Sequence, residues 1–95
     1  MWKNLFIAGM IGSENGEILA DEEYQNACRI TLEKCKDHYA ITCGVYGCMV
    51  HTAFSDSNHY QEMYEAMKRD LKEFIDKDTS SDEELIFYKE FTTKY

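Results

Sequence analysis

The first stretch of the chain combines an apolar run with a polar turn. Residues 5–11 are almost all apolar, and the Asn15-Gly16 dipeptide that follows is the strongest short-range signal for a hairpin turn. Residues 17–19 are suited to the returning strand. The pattern therefore predicts a β-hairpin at the N-terminus.

The next segment has apolar positions at helical spacing. Asp21 has the chemistry of an N-cap, and residues 22–23 are acidic, as the helix dipole favours in a first turn. Cationic side chains at 34–38 suit a C-terminus. We therefore expect a helix beginning at Asp21, whose inward positions would be Tyr24, Ala27, Cys28, Thr31, Leu32 and Cys35.

The centre of the chain, residues 39–55, contains no Asp, Glu, Lys or Arg. Its Ile, Val, Thr and Tyr side chains are typical of β-strands. Gly44 and Gly47 leave two interpretations, which are one long strand with a bulge and a hairpin whose loop is residues 44–47. We favour the hairpin.

Two further helices are predicted in the C-terminal part. Residues 55–57 offer caps for a helix whose apolar stripe at i, i+3, i+4 and i+7 comprises Tyr60, Met63, Tyr64, Met67, Leu71, Phe74 and Ile75. Two overlapping capping boxes, Ser80 with Glu83 and Ser81 with Glu84, then precede residues 81–93. The segment 81–93 has strand-like propensity, so we predict a helix there with an edge strand as the alternative.

These elements predict one α+β domain over residues 1–95, because a chain of this length has no room for a second core. A small, mainly antiparallel sheet would carry the helices beginning at Asp21 and Asp56 on one face, with the C-terminal segment in addition. The other face would keep exposed side chains, and dimerisation through it is a hypothesis. Those side chains are Tyr46, Val50, Thr52 and Phe54.

The charge narrows the classes of function. The chain has 18 acidic and 10 basic residues and a net charge of −8. Binding to nucleic acid or to an anionic membrane is therefore disfavoured, since both need a basic surface. The N-terminal apolar run is too short to span a membrane and lacks a signal-peptide cleavage site. We expect a cytoplasmic protein with reduced thiols.

The densest group of reactive residue types lies at 43–51. Cys43, Cys48 and His51 are candidates for a redox-active dithiol or a metal clip. A hairpin would place the two cysteines opposite each other near disulfide geometry, whereas a continuous strand would put them on opposite faces. We prefer a third interpretation, in which the cysteines are small buried side chains. No catalytic residue, metal or cofactor is predicted.

Three classes of function are compatible with these observations. The first is a non-catalytic protein-interaction module, such as an inhibitor or immunity-like protein that neutralises a basic protein partner, or one that pairs with a second copy of itself. The second is a thiol-redox or metal-binding protein centred on Cys43 and Cys48. The third is a small-ligand binder with a pocket near His51. We favour the first, because it requires only the surface charge.

Overall fold

The computed structural model describes residues 1–77 and 79–95. It contains a five-stranded antiparallel sheet whose strands lie in the order in which they occur in the chain, followed by two helices. This confirms the predicted α+β class. The strands are β1 (Trp2–Asn4), β2 (Glu17–Tyr24), β3 (Cys28–Lys34), β4 (Tyr39–Val45) and β5 (Met49–Ser55), and the helices are α1 (Tyr60–Asp76) and α2 (Ser81–Lys94).

The prediction of a helix beginning at Asp21 is wrong, because this segment forms the hairpin β2–β3. In its turn, Gln25 and Asn26 adopt φ angles of 51° and 54°. Two consecutive residues in the left-handed region fit a tight hairpin turn and end any right-handed helix. Asp21 lies within β2 and pairs with Thr31 on β3. It therefore caps no helix.

The predicted N-terminal strand is also misplaced. Residues 5–11 form a loop, from which Ile11 makes one isolated bridge to Glu17. The first strand is instead β1, which pairs with the far end of β2. The turn before β2 is where the sequence predicts it, with Asn15 at a φ of 66°.

The central hairpin and the two C-terminal helices are confirmed as elements, but two of their bounds differ from the prediction. The hairpin turns at residues 46–48 and not at 44–47, and the first helix begins at Tyr60, after the N-cap residue His59, and not at Asp56. Val45 pairs with Met49 across a three-residue turn, in which Gly47 has a φ of 75°. At the start of α2, the hydroxyl of Ser80 accepts a hydrogen bond from the backbone N–H of Glu83 at 3.3 Å, and the Glu83 side chain reaches back to the Ser80 backbone. The second predicted box is not used, because Ser80 and not Ser81 is the N-cap.

Both helices lie on one face of the sheet, and the core lies between the two layers. Helix α1 crosses the sheet from β4, where Tyr60 stacks on Tyr39, to β2, where Asp76 accepts a hydrogen bond from Tyr24. Helix α2 lies against β5. The sequence predicts that the helices beginning at Asp21 and Asp56 form this layer. In the structure the layer consists of α1 and α2. Its buried apolar contacts, the main stabilising contribution, involve Cys28, Ile30, Leu32, Ile41, Cys43, Ala53, Met67, Leu71, Phe74 and Phe91.

Among the described residues, no helix is both long enough and apolar enough to cross a lipid bilayer.

Candidate functional site

The three residues singled out from the sequence do not form one reactive cluster. Cys43 and His51 are register partners on β4 and β5, on the sheet face that meets the helices. Cys48 lies outside both strands, in the exposed turn between them. The expected facing arrangement of Cys43 and Cys48 is therefore wrong, because the turn comprises residues 46–48 and contains one of the two thiols. All four cysteines of the chain are free.

Burial makes Cys43 a poor nucleophile. Its side chain is 2% exposed, and burial raises the pKa of its thiol to about 12. Burial likewise raises the pKa of neighbouring Cys28 to about 11. Since the thiolate is the reactive and metal-binding form, both cysteines stay protonated at neutral pH and pack as small apolar side chains. Within residues 1–77 and 79–95, no group of three or more His, Cys, Asp and Glu side chains is arranged to hold a metal ion.

His51 is half-buried beneath α2. Its ring makes an edge-to-face contact with Phe91 at a centroid distance of 6.2 Å. Its Nε2 atom is buried and has no hydrogen-bond partner in the described part of the chain. A groove of about 510 Å³ beside the β4–β5 hairpin is lined by Arg29, Thr42 and Val50 among others, but not by His51. The imidazole thus packs in the helix layer, away from this groove.

The sheet face turned away from the helices carries a row of polar side chains. The register places Asp21, Thr31, Thr42 and Thr52 side by side across β2 to β5. The guanidinium of Arg29 donates to both carboxylate oxygens of Asp21, at 2.8 and 2.6 Å, and the Thr31 hydroxyl donates at 3.2 Å. The hydroxyls of Thr42 and Thr52 are 3.1 Å apart. These groups satisfy one another, so the row stabilises the sheet.

Residues 5–16 lie against the Glu33 end of β2 and β3 on this face, and the buried Glu33 carboxylate fastens them there. Its Oε1 atom accepts hydrogen bonds from the backbone N–H groups of Glu14 at 3.1 Å and Gly16 at 3.2 Å. A Cβ atom at Gly12 would overlap the Glu33 side chain, so the close approach requires glycine. The second oxygen, Oε2, is buried without a partner in the described residues. The β5 half of the face stays open.

A second groove, of about 370 Å³, lies between α1 and α2. Its floor is aromatic, since Phe74 of α1 stacks on Phe87 of α2 with ring centroids 4.1 Å apart and planes 8° apart. Phe91 also lines it. The charged side chains that line this interhelical groove are four carboxylates and two ammonium groups, namely Asp70, Glu73, Glu83, Glu90, Lys77 and Lys94.

Only part of this charge is neutralised within the groove. Asp70 accepts a hydrogen bond from Lys94 at 2.9 Å and one from the Tyr95 hydroxyl at 2.5 Å. Burial alone would raise the pKa of Asp70, but these two bonds hold it below its usual range. Glu73 and Glu90 form no ion pair with any residue that the structure describes. Within the described part of the chain, one carboxylate on each helix is therefore without an ion pair, as is the Lys77 ammonium group that lines the same groove.

Sequence reasoning missed the interhelical groove. The residue pattern of each helix indicates its own apolar side, but not which element lies beside Glu73 or beside Phe87. The spacing of Phe87 and Phe91, four residues apart, was the available signal for one apolar side of α2. Comparison of the chain with protein-family models, with curated proteins and with solved structures finds no match.

Proposed function

We propose that this chain is a non-catalytic protein-binding module that takes a basic side chain of its partner into the interhelical groove. The observation that supports the proposal is the combination of the partly buried Phe87 ring, which stacks on the buried ring of Phe74, with the Glu73 and Glu90 carboxylates on the two sides. A guanidinium group stacks on aromatic rings and donates paired hydrogen bonds to carboxylates. An arginine therefore complements the groove better than an anionic or a purely apolar group does.

The overall charge supports the same kind of partner. A net charge of −8 attracts a basic protein over a distance of about one Debye length, roughly 8 Å at physiological salt, and raises the association rate. Binding of this kind would neutralise the partner's basic surface, as an inhibitor or immunity-like protein does. The hypotheses centred on Cys43 and His51 have less support, because the Cys43 thiol is buried and the His51 ring packs against Phe91.

The proposal is tested with a short arginine-rich peptide and the isotope-labelled protein. We expect amide chemical-shift changes to concentrate at residues that line the groove, and calorimetry to give an affinity that falls with salt. The double variant Glu73→Gln/Glu90→Gln should weaken binding by about tenfold. A lysine-rich peptide of equal charge should bind more weakly, because an ammonium group lacks the planar stacking surface.

The matched control is Glu62→Gln/Glu65→Gln. It removes the same charge from exposed positions of α1 that do not line the groove. We expect it to change the affinity by less than about threefold. Equal weakening by both double variants would show that the peptide responds to net charge alone and would contradict the proposal, as would shift changes spread over the whole acidic surface.

A further inference from the structure

The two edges of the sheet differ in their protection against pairing with another strand. Strand β1 has three residues and carries Lys3, two features that normally blunt an edge. Strand β5 has seven residues and pairs with β4 without a bulge. It contains no proline and no acidic or basic side chain apart from His51. By the same criteria β5 is an unprotected edge, although α2 packs on one face of it.

We propose that β5 pairs in antiparallel orientation with β5 of a second copy of this chain, which joins two five-stranded sheets into one continuous sheet. The strand is centred on Thr52, so a two-fold axis at that residue pairs Thr52 with itself. The same register places Val50 of one copy opposite Phe54 of the other. The contact is therefore isologous, since both copies use the same strand, and the assembly ends at a dimer.

The side chains of β5 suit this register. Val50 is 81% exposed and Phe54 is 56% exposed, on the face that α1 and α2 do not cover. A β-branched side chain opposite an aromatic one is a favourable cross-strand pair, and the two-fold axis forms this pair twice. On the helix face, His51 would lie opposite Ala53 of the other copy, which is small enough to leave room for the imidazole.

Charge favours a second copy at this strand over other surfaces of the chain. Two copies with a charge of −8 each repel one another wherever their carboxylates meet. Residues 39–55 form an uncharged stretch that supplies the whole of β4 and β5. The first carboxylate after β5 is that of Asp56, and in the proposed register the two Asp56 residues lie roughly 27 Å apart, several Debye lengths. The paired strands themselves thus bring no two carboxylates together.

This inference does not depend on the proposed function, because no residue of β5 lines the interhelical groove. Sedimentation equilibrium over a range of protein concentrations should show a reversible monomer–dimer equilibrium. Val50→Lys should weaken dimerisation by about tenfold or more, since the lost contact occurs twice and an edge lysine opposes pairing. The control Ile7→Lys makes the same kind of change at an exposed position in the loop 5–16 and should leave dimerisation unchanged.

The register is tested by crosslinking in a background that carries Cys35→Ser and Cys48→Ser. Thr52→Cys should form a disulfide between copies on mild oxidation. Phe54→Cys alone should form no such disulfide, because position 54 of one copy would lie roughly 13 Å from position 54 of the other. Circular dichroism of each variant checks that it is folded. A monomer at all concentrations, a dimer that Val50→Lys leaves intact, or crosslinking through Phe54→Cys instead of Thr52→Cys would each overturn the inference.

Discussion

Tyr64 of α1 donates a hydrogen bond from its hydroxyl to the Glu22 carboxylate of β2, at 2.6 Å. The ammonium group of Lys68 lies 3.0 Å from the same carboxylate and 5.3 Å from the centre of the Trp2 ring. This cluster connects α1 with both β2 and β1. Burial, together with the bond to Glu22, raises the pKa of the Tyr64 phenol, so the hydroxyl remains a donor.

We expect Tyr64→Phe to lower the free energy of unfolding by about 1–2 kcal/mol, because it removes a partly buried hydrogen bond to a charged acceptor. Urea denaturation followed by circular dichroism measures the change. Tyr46→Phe is the matched control, since the Tyr46 hydroxyl also donates to a carboxylate, that of Glu23, but at an exposed site. Equal losses for the two variants would show that burial does not set the strength of these bonds.

Substitutions of Asp21 and Arg29 should have strongly coupled effects on the free energy of unfolding. Asp21 is 5% exposed, so Arg29→Met would leave a buried carboxylate without its cation and should lower the free energy of unfolding by about 2–3 kcal/mol. The double variant Asp21→Asn/Arg29→Met should lose less than the sum of the two single variants. A complete double-mutant cycle by urea denaturation measures this coupling, and simple additivity would contradict it.

The close contact between Gly12 and Glu33 should hold the loop 5–16 against the sheet and should exclude a larger side chain at position 12. A methyl group at position 12 would overlap the Glu33 side chain, so Gly12→Ala should cost about 1–3 kcal/mol of stability. It should also increase hydrogen exchange of the Glu14 and Gly16 amides, which bond to Glu33. Ser13→Ala, at an exposed neighbouring position, is the control. Unchanged exchange in Gly12→Ala would show that the loop is held by other contacts.

The sequence identified the class of the fold but misassigned its β2–β3 hairpin, for a physical reason. Tyr24, Cys28 and Leu32 are four residues apart, a spacing that keeps one face in a helix and also in a strand, since four is a multiple of two. Ile30, midway between two of them and fully buried, fits only the period of two. Periodicity alone was therefore ambiguous, and the intervening β-branched residue carried the information.

The candidate site depends on tertiary contacts that no local pattern contains. The amphipathic pattern of α1 was clear enough to predict its buried and exposed faces. The same pattern could not predict which element lies beside Glu73. The contact between the two helices is made by the stacking of Phe74 on Phe87, and each helix has a sequence pattern of its own. Cys48 illustrates the same limit at short range, since the hairpin turns at residues 46–48 and not at 44–47, which pairs Cys43 with His51 and leaves Cys48 in the turn.

Acid stability should depend on Asp70. Its pKa is lowered in the folded protein, so the unfolded chain binds the proton more readily, and Asp70 stabilises the fold fully above its unfolded-state pKa of about 3.9. This contribution is lost as the pH falls through the lower, folded-state pKa. Asp70→Asn should therefore flatten the acid side of the stability–pH curve. Glu62→Gln, at an exposed site, should leave that slope unchanged, and equal slopes for all three proteins would contradict the expectation.

Thiol reactivity should separate the exposed cysteine from the buried ones. Because burial raises the pKa of Cys43 to about 12 and that of Cys28 to about 11, neither forms appreciable thiolate near neutral pH. Cys48 is exposed in the turn, so iodoacetamide should modify it first and reach the two buried thiols only in denaturant. Mass spectrometry of timed samples identifies the modified residues, with Cys48→Ser as the control. Rapid alkylation of Cys43 in the folded protein would mean that its thiol is accessible and activated, and would restore the redox hypothesis.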